Sequence, residues 1–562
     1  MKYISLLIIL LTLSQNRLVG ADSKEWASFV DEFLESYFQH HPCFAVQQGR
    51  HDFDGRLPDW SDEGLRKTIQ HLHGSRKRAQ AFRNLSGHQA FERKYLLARI
   101  QRDLFWLETL DWPHKSPTFY FDWELDNLDP DVYLTPPYAP IEVRLSGFIK
   151  YLKALPKAAE QIQLNLRRPL PPSYRETGLQ RFKGLASYLS KEAPAVFKTV
   201  TDGALQTELR EAVPPAVQSL LQLVAALEAQ PPGTEGSFAI GKKFFREMLQ
   251  QTEMLDIPLA KVEKMGRADF ERNLAALEKA CQKLAPGKSV QEALAQVSAS
   301  KPPEGPVAGA RRQLSVLKNF LKAENIVTIP STADARVEES PPHARWNFAY
   351  INLPGPFSPE APAIYYIAPP DPTWSKEDQE NYIPGETDLL FTSVHEVWPG
   401  HFLHALHSYG AKSKIGRVFH SYAFSEGWAH YAEEMMFQEG LGDFAPEYQI
   451  GQLLNALLRN ARLLSAIGLH SRTMSVAESE ELFIKAHQAR ATARQQAARG
   501  TFDPAYLNYT LGKLLILEMR DEWRAKNPRE TLQRFHDQLL SYGGPPLPLV
   551  REQILPKGHS LN

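Results

Sequence analysis

The sequence predicts a mainly α-helical protein, and three observations support this fold class. Apolar residues recur at helical spacing through most of the chain. Proline pairs and proline runs separate these helical stretches. Segments rich in Tyr, Ile and Phe are few, and the two clearest candidate strands lie close together, at Trp346 to Leu353 and Ala363 to Ala368. We therefore expect a helical fold with one small strand element.

The first 21 residues differ from the rest of the chain. Lys2 supplies a positive start, residues 3–13 are mostly apolar, and Val19-Gly20-Ala21 offers the small residues that a signal peptidase reads. The apolar core is about ten residues long, whereas a bilayer span needs roughly 20. This pattern predicts a signal peptide cut after Ala21 and an exported protein, periplasmic or secreted. An uncleaved anchor is the alternative, and the lack of a directly following cysteine argues against a lipid anchor.

Residues 22–562 are predicted to form a helical domain, with candidate subdomains at 22–235 and 236–562. The 43% of apolar residues is enough for a large buried core and argues against disorder. The formal net charge of −1 indicates neither a nucleic-acid partner nor an anionic membrane partner. No later segment is expected to span a membrane. Cys43 and Cys281 could pair in an oxidising compartment, but their spacing does not decide this.

The helical pattern is clearest in four segments, and proline-rich breaks lie between the helices. The four segments are Trp26 to Phe38, Val217 to Leu227, Leu453 to Leu469 and Tyr506 to Trp523. The breaks are Pro136-Pro137, Pro169 to Pro172, Pro231-Pro232 and Pro302-Pro303.

The most informative segment runs from Thr387 to His404 and contains the pair His395-Glu396. Thr387 and Asp388 are candidate helix caps, and the apolar residues that follow suit a buried helix. Burying two polar side chains in a helix is costly, so such a pair usually has a task. The familiar zinc helix carries its histidines four residues apart. Here the next histidine, His401, comes six residues later, which in a straight helix leaves the two side chains about 120° apart.

Pro399 and Gly400 offer a way to bring the two histidines together. The proline ring clashes with the carbonyl four residues earlier, which belongs to His395. Gly400 then permits backbone conformations that a regular helix forbids. We therefore predict a kinked or bulged helix that turns His401 back toward His395. His404 also follows the kink and is the rival ligand.

A second polar segment follows 25 residues after His401, with Ser425 as a predicted helix cap and Glu426 in the first turn. Two histidines and one glutamate leave a fourth metal position open for water, as in catalytic rather than structural zinc sites. Glu396 would then be the general base that takes a proton from that water. Glu433 and Glu434 are rival ligands on nearly the same helix face, and Glu433 is also a candidate to orient a ligand histidine. One Zn²⁺ is expected from the ligand types, although other divalent ions suit such a site.

These two motifs resemble those of a known family. The patterns His-Glu-x-x-Pro-Gly-His and Glu-Gly-Trp-Ala-x-Tyr-x-Glu look like family 885 of bacterial domains of unknown function. The segment from Tyr37 to Asp59 resembles the opening of that family, and Tyr509-Thr-Leu-Gly-Lys followed by Arg520 resembles its closing motif. The family is similar in pattern to helical metallopeptidases of the carboxypeptidase Taq and thimet oligopeptidase groups.

The resemblance covers nearly the whole chain after the leader. It implies a large helical fold with a deep central cleft, and His395, His401 and Glu426 as metal ligands. Phe402 stands where the family usually has a second histidine, and His404 where it usually has glutamine. These departures concern substrate contacts more than metal binding.

Several other residues are candidates for contact with the substrate. Tyr509 could donate a hydrogen bond to the oxyanion that forms during hydrolysis, or it could be a packed helix tyrosine. Arg520 could hold a substrate carboxylate through two hydrogen bonds, or form a structural salt bridge. Tyr366 lies in the strand before the metal helix, which by analogy with peptidases would be an edge strand that pairs with substrate; the alternative is a core strand.

His430 is expected to line the cleft or to lie in the core rather than to bind metal. Trp428 and Tyr431 are expected to be aromatic residues around the site. The complete set of candidate substrate-binding residues is Tyr366, His404, His430, Tyr431 and Arg520.

The sequence thus favours an exported zinc-dependent hydrolase that acts on a peptide or small amide, with Glu396 as general base. A zinc hydrolase of a non-peptide amide or ester is one alternative, and a non-catalytic binding protein on the same fold is another. Glu396 argues against the binding protein, because a purely structural zinc site needs no base. The choice between exo- and endo-cleavage and the oligomeric state stay open.

Overall fold

The computed structural model describes residues 23–122, 125–341, 345 and 348–555. The expected signal peptide, residues 1–21, lies outside the described residues. The helices before the strands are α1 (23–40), α2 (Pro42–Gln47), α3 (Asp62–Ala81), α4 (Gly87–Leu104), α5 (Asp131–Leu134), α6 (Ile141–Asn165), α7 (Pro172–Val196), α8 (Gly203–Ala229), α9 (Gly241–Glu253), α10 (Leu259–Leu284), α11 (Val290–Ala299) and α12 (Pro306–Ala323).

Three strands follow, and helices then continue to the end of the described chain. The strands are β1 (Arg336–Glu339), β2 (Ala349–Asn352) and β3 (Ile364–Ile367). The later helices are α13 (Lys376–Tyr382), α14 (Glu386–Glu396), α15 (His401–Tyr409), α16 (Lys414–Val418), α17 (Tyr422–Gln438), α18 (Pro446–His470), α19 (Val476–Lys485), α20 (Arg490–Phe502), α21 (Asn508–Lys526), α22 (Leu532–Leu540) and α23 (Leu547–Ile554). The expectation of a mainly α-helical chain is confirmed.

Local sequence signals account for many of the helix boundaries. The four proline-rich breaks all lie at helix ends or between helices, as predicted. Ser289 caps α11 and Ser475 caps α19, each in a capping box with the glutamate three residues later. Such a box satisfies two backbone N–H groups that a helix start leaves free.

The strand element is a three-stranded mixed sheet in the order β1-β3-β2. β3 runs parallel to β1 and antiparallel to β2, so that Tyr365 lies opposite Val337 and Tyr366 opposite Tyr350. The prediction that β3 is an edge strand is therefore wrong, because its backbone is already paired on both sides. β1 was not predicted, since its sequence Arg-Val-Glu-Glu has only one apolar residue and is mostly exposed.

Four helices bring the later polar residues together in the core. α14 packs against α17 and α18, and α17 lies along α21. The last contact depends on two glycines: a Cβ on Gly427 would lie 2.6 Å from the backbone of Gly512, and a Cβ on Gly512 would lie 2.0 Å from the carbonyl oxygen of Ala423. The backbones of α17 and α21 therefore touch directly, as only glycine allows at this separation.

Two further sequence-based expectations can be compared with the described residues. Among them α8 is long and apolar enough to cross a membrane, by length and composition only, although no later segment was expected to be so. It packs against α6 and α7. Cys43 in α2 and Cys281 in α10 are both free thiols, so the disulfide considered above does not form in this structure.

Candidate metal centre

The helix that carries His395 stops one residue later, and a new helix begins at His401. The N–H of Gly400 donates to the carbonyl of Val394 at 2.9 Å, six residues back instead of four. A Cβ on Gly400 would lie 1.7 Å from the carbonyl oxygen of His395, so only glycine fits here. The predicted distortion at Pro399-Gly400 is confirmed, but it separates two helices rather than bending one.

This break brings three side chains to one point. Nε2 of His395 and Nε2 of His401 lie 3.3 and 3.4 Å from Oε2 of Glu426. The three potential ligand atoms all lie within 4.8 Å of one another, and the two imidazole rings are perpendicular. His395, His401 and Glu426 therefore form a group that could hold a metal ion. We refer to these three residues as the triad.

The glutamate of the triad lies deeper in its helix than the sequence suggested. Ser421, not Ser425, caps α17, and its Oγ accepts a hydrogen bond from the N–H of Phe424. Glu426 is thus in the second turn, and the predicted cap at Ser425 is wrong because Ser421 is equally suited and is held by Glu253. In α14 the cap position is Gly385, so Thr387 and Asp388 belong to the first turn instead.

The chemistry of the triad fits a divalent cation. Oε2 of Glu426 is buried and forms no hydrogen bond of good geometry with a described residue. Burial raises the pKa of Glu426, but the nearby His401 and His395 hold it well below its usual range. Burial and Arg459 lower the pKa of His395, yet Glu426 and Glu433 outweigh them and raise it to about 9. Both shifts arise because the buried carboxylates attract positive charge, which a bound divalent cation can supply.

Glu433 and Arg459 hold the other side of the His395 ring. Nδ1 of His395 lies 2.7 Å from Oε1 of Glu433. Nη2 of Arg459, from α18, lies 3.1 Å from the same oxygen. Glu433 is therefore placed to orient the imidazole and not to be a ligand of the triad. Glu434, the other candidate ligand on this helix, forms ion pairs with Arg272 and Lys513 instead.

Two groups beside the triad keep free hydrogen-bonding capacity. Glu396, the last residue of α14, is partly exposed, and its carboxylate has no hydrogen bond or ion pair with any described residue. Burial raises the pKa of Glu396, while His395 and His401 oppose that shift. The Tyr509 ring stacks on His395 with centroids 6.2 Å apart. Its hydroxyl has no hydrogen-bond partner in the part of the chain described, and burial raises its pKa.

Other predicted contact residues lie in the core. Nε2 of His404 lies 3.3 Å from the carbonyl oxygen of Gly543, and burial keeps the pKa of His404 well below its usual value. The Tyr431 hydroxyl lies 2.8 Å from Nε2 of His536. His430 is fully buried, and its Nδ1 lies 3.5 Å from Oε2 of Glu433, so it takes the core position rather than lining a cleft.

Arg520 and Tyr366, the other two candidate substrate-binding residues, make their described contacts outside the triad. Arg520 hydrogen-bonds to Asp521 and Gln438. It is eleven residues along α21 from Tyr509, which is about 16 Å in a helix. This favours the structural salt bridge over the substrate anchor. Tyr366 is buried within the central strand, as in the core-strand alternative.

Three arginines that were not predicted from the sequence surround Tyr509, namely Arg459, Arg462 and Arg499. The signal was present in Leu453 to Leu469, where Arg459 and Arg462 are the two charged residues of a mostly apolar helix. Both prove to be buried in α18. A charged side chain within a buried helix face usually has a partner or a task.

Comparison with solved structures shows the same fold in two bacterial proteins. One is described as a "putative lipoprotein of unknown function" from Shewanella oneidensis; it is 22% identical, has a TM-score of 0.77 and aligns over 94% of this chain and 99% of its own. The other is described as a "putative lipoprotein" from Colwellia psychrerythraea; it is 17% identical, has a TM-score of 0.79 and aligns over 95% and 98%. No curated protein sequence matches the chain.

The sequence profile of one family matches almost the whole described chain. The match extends over residues 42–554 and includes both polar segments of the triad. It agrees with the resemblance noted from the sequence motifs. The chain belongs to the family of bacterial proteins of unknown function called DUF885.

Proposed function

We propose that this protein is an exported zinc-dependent hydrolase that cleaves peptides. The observation that carries the proposal is the convergence of His395, His401 and Glu426 beside the free carboxylate of Glu396. Two imidazoles and one carboxylate match the protein ligands of catalytic zinc sites. A purely structural site would not need an unpaired carboxylate next to its ligands.

The side chains around the triad supply the remaining parts of a hydrolysis. When bound, the divalent ion acts as a Lewis acid toward water and toward the substrate carbonyl. Glu396 accepts the proton of the attacking water and passes it to the leaving nitrogen, a role favoured by its raised pKa. The Tyr509 hydroxyl donates a hydrogen bond to the carbonyl oxygen as negative charge develops there. Glu433 keeps Nε2 of His395 directed at the triad.

A peptide substrate and export are supported by the sequence. The motif pattern resembles that of helical metallopeptidases, which favours a peptide over another amide or an ester. The leader pattern from Lys2 to Ala21 favours export. The two proteins of similar fold are each described as a "putative lipoprotein", which is consistent with a location in the cell envelope.

Metal analysis followed by a peptide-library digest tests the proposal. We expect about one divalent ion per chain and cleavage that a chelator abolishes and Zn²⁺ restores. Glu396→Gln should keep the ion and lower turnover by about 100-fold or more, since general acid–base catalysis contributes about 10²–10⁴-fold. Glu439→Gln, the same change at an exposed position just after helix α17, is the matched control and should keep full activity.

Each alternative gives a different result in this experiment. A non-catalytic binding protein would show no chelator-sensitive cleavage, and Glu396→Gln would change nothing. A hydrolase of another amide or ester would bind metal but leave the peptide library intact. Protein without bound metal and without cleavage would overturn the proposal.

A further inference from the structure

Three arginines surround Tyr509 at the edge of the triad. The Cζ atoms of Arg462, Arg459 and Arg499 lie 4.8, 5.8 and 6.0 Å from the centre of the tyrosine ring. The same ring stacks on the imidazole of His395. Nη2 of Arg459 also reaches Nδ1 of His395 directly, at 3.2 Å, whereas Arg462 is linked to His395 through its contact with the Tyr509 ring.

Two of these arginines have carboxylate partners within the protein. Nη2 of Arg459 lies 3.1 Å from Oε1 of Glu433, and Nη2 of Arg499 lies 2.8 Å from Oδ2 of Asp503. Arg499 also donates to the hydroxyl of Tyr422 at 3.2 Å. Their charges are thus compensated by residues of the chain.

Arg462 differs from its two neighbours. It is only 8% exposed, and its Nε donates to the side-chain oxygen of Gln496 at 2.9 Å. No carboxylate of the described residues forms an ion pair with its guanidinium. Burial lowers the pKa of Arg462, and the nearby Arg499 lowers it further. A buried charge without a counter-charge is costly, so its retention indicates an anionic partner from outside.

We propose that Arg462 binds a carboxylate of the substrate, next to the bond that the triad cleaves. The planar guanidinium can donate two parallel hydrogen bonds to a carboxylate, which no other side chain does as well. Tyr509 packs against the guanidinium and links this anion site to the triad. The inference rests on the proposed hydrolase function and names its substrate class.

The geometry limits where that carboxylate lies in a peptide. An extended chain advances about 3.3–3.6 Å per residue. The centre of the Tyr509 ring lies 4.8 Å from Cζ of Arg462 and 6.2 Å from the centre of the His395 ring, so the carboxylate lies within about three residues of the scissile bond. It comes either from the C-terminus of a short peptide or from an Asp or Glu side chain at that distance.

Matched peptides distinguish these two sources. N-acetylated peptides of three to six residues would be compared as free acids, as C-terminal amides, and as amides with Asp or Glu near the C-terminus. We expect kcat/KM to be about 10- to 100-fold higher for peptides that carry the carboxylate, the range of a charge-assisted hydrogen bond. A preference for all free acids identifies the terminal carboxylate, whereas activity restored by Asp or Glu in an amide identifies a side chain.

Substitution of Arg462 tests the assignment directly. Arg462→Gln should reduce kcat/KM for the carboxylate peptides to the level of the uncharged amides. Arg462→Lys keeps the charge but loses the planar fork, and should retain part of the preference even if the glutamine variant folds poorly. Arg494→Gln, which removes an exposed arginine of α20, should keep the full preference. Equal activity on acids and amides, or a preference unchanged in Arg462→Gln, would overturn the inference.

A binding measurement separates this inference from the proposed function. Free-acid and amide peptides would be titrated by calorimetry into Glu396→Gln protein, with and without Arg462→Gln. One outcome is that the wild type cleaves no peptide while the binding of free-acid peptides still depends on Arg462. In that case the hydrolase proposal is wrong and the carboxylate site stands. If the wild type cleaves peptides in a metal-dependent way but cleaves acids and amides equally well, the hydrolase proposal stands and the carboxylate site is wrong.

Discussion

Nδ1 of His395 lies 2.7 Å from Oε1 of Glu433, and both side chains are buried. Because this nitrogen is held by the glutamate, the other ring nitrogen faces Glu426 and His401. The contact joins α14 to α17, the two helices that supply His395 and Glu426. It therefore sets both the tautomer and the direction of one ligand of the triad.

Loss of this carboxylate should weaken metal binding. Glu433→Gln keeps an oxygen that can accept a hydrogen bond but removes the charge that His395 and Arg459 share. We expect metal affinity to fall by about 10- to 100-fold, as for other residues that orient metal ligands. Competition with a chromophoric chelator measures it. Glu439→Gln is the control, and wild-type affinity in Glu433→Gln would contradict the orienting role.

Gly400 should tolerate no larger residue. In Gly400→Ala the new Cβ would lie 1.7 Å from the carbonyl oxygen of His395 and 2.5 Å from that of Val394, both rigid backbone atoms. We expect a loss of about 1–3 kcal/mol in unfolding free energy, typical of overpacking, and loss of bound metal because His401 shifts. Gly410→Ala meets its nearest atom at 3.5 Å and should retain metal and stability. Thermal unfolding and metal analysis of both variants decide the point.

The hydroxyl of Tyr509 should act in turnover and not in folding. Tyr509→Phe removes a group that has no described partner, so stability should change little. We expect kcat to fall by about 10²-fold with KM nearly unchanged, since the lost hydrogen bond would form mainly in the transition state. Tyr448→Phe, at the start of α18, is the control. A variant with unchanged kcat would show that Tyr509 only packs against His395.

A buried ion network that joins α10, α17 and α21 should contribute strongly to stability. Lys513 is fully buried, and its Nζ lies 2.7 Å from Oδ2 of Asp269 and 3.1 Å from Oε2 of Glu434. Lys513→Met leaves both carboxylates short of a counter-charge, so we expect a loss of about 3–5 kcal/mol in chemical denaturation. Lys526→Met breaks only a surface pair with Glu522 and should cost about 1 kcal/mol or less. Equal effects of the two variants would contradict this difference.

The same network predicts a loss of stability in acid. Burial raises the pKa of Glu434, but Lys513 and Arg272 outweigh it and lower the pKa from 4.5 to about 2. Because the folded carboxyl holds its proton less tightly than the unfolded one, its stabilisation is complete above pH 4.5. It is lost as the pH falls toward 2, at roughly 3 kcal/mol for the full shift.

Chemical denaturation between pH 6 and pH 2 tests this prediction. The unfolding free energy of the wild type should fall most steeply below pH 4.5. In Glu434→Gln that part of the slope should be smaller, although the variant is less stable at neutral pH. An equal slope in the two proteins would show that other groups control the acid response.

Much of the fold and part of the site follow from local sequence signals. Helical spacing identified α1, α8, α18 and α21, and proline breaks marked boundaries between helices, because these features act over a few residues at a time. Pro399 and Gly400 indicated the break that brings His401 to His395, because the clash of a proline ring and the freedom of glycine are local effects. Where a local signal had an equal rival, as with Ser421 and Ser425, the predicted helix start was wrong.

The sequence by itself determined the helical class, the pair of histidines and the glutamate that joins them. Only the tertiary structure decided which groups surround the triad, since these come from helices far apart in the chain. The close approach at Gly427 and Gly512 places Tyr509 beside His395 and leaves Arg520 three turns away. The packing of α14 against α18 places Arg459 on Glu433. These contacts depend on how whole helices pack, which no short stretch of sequence encodes.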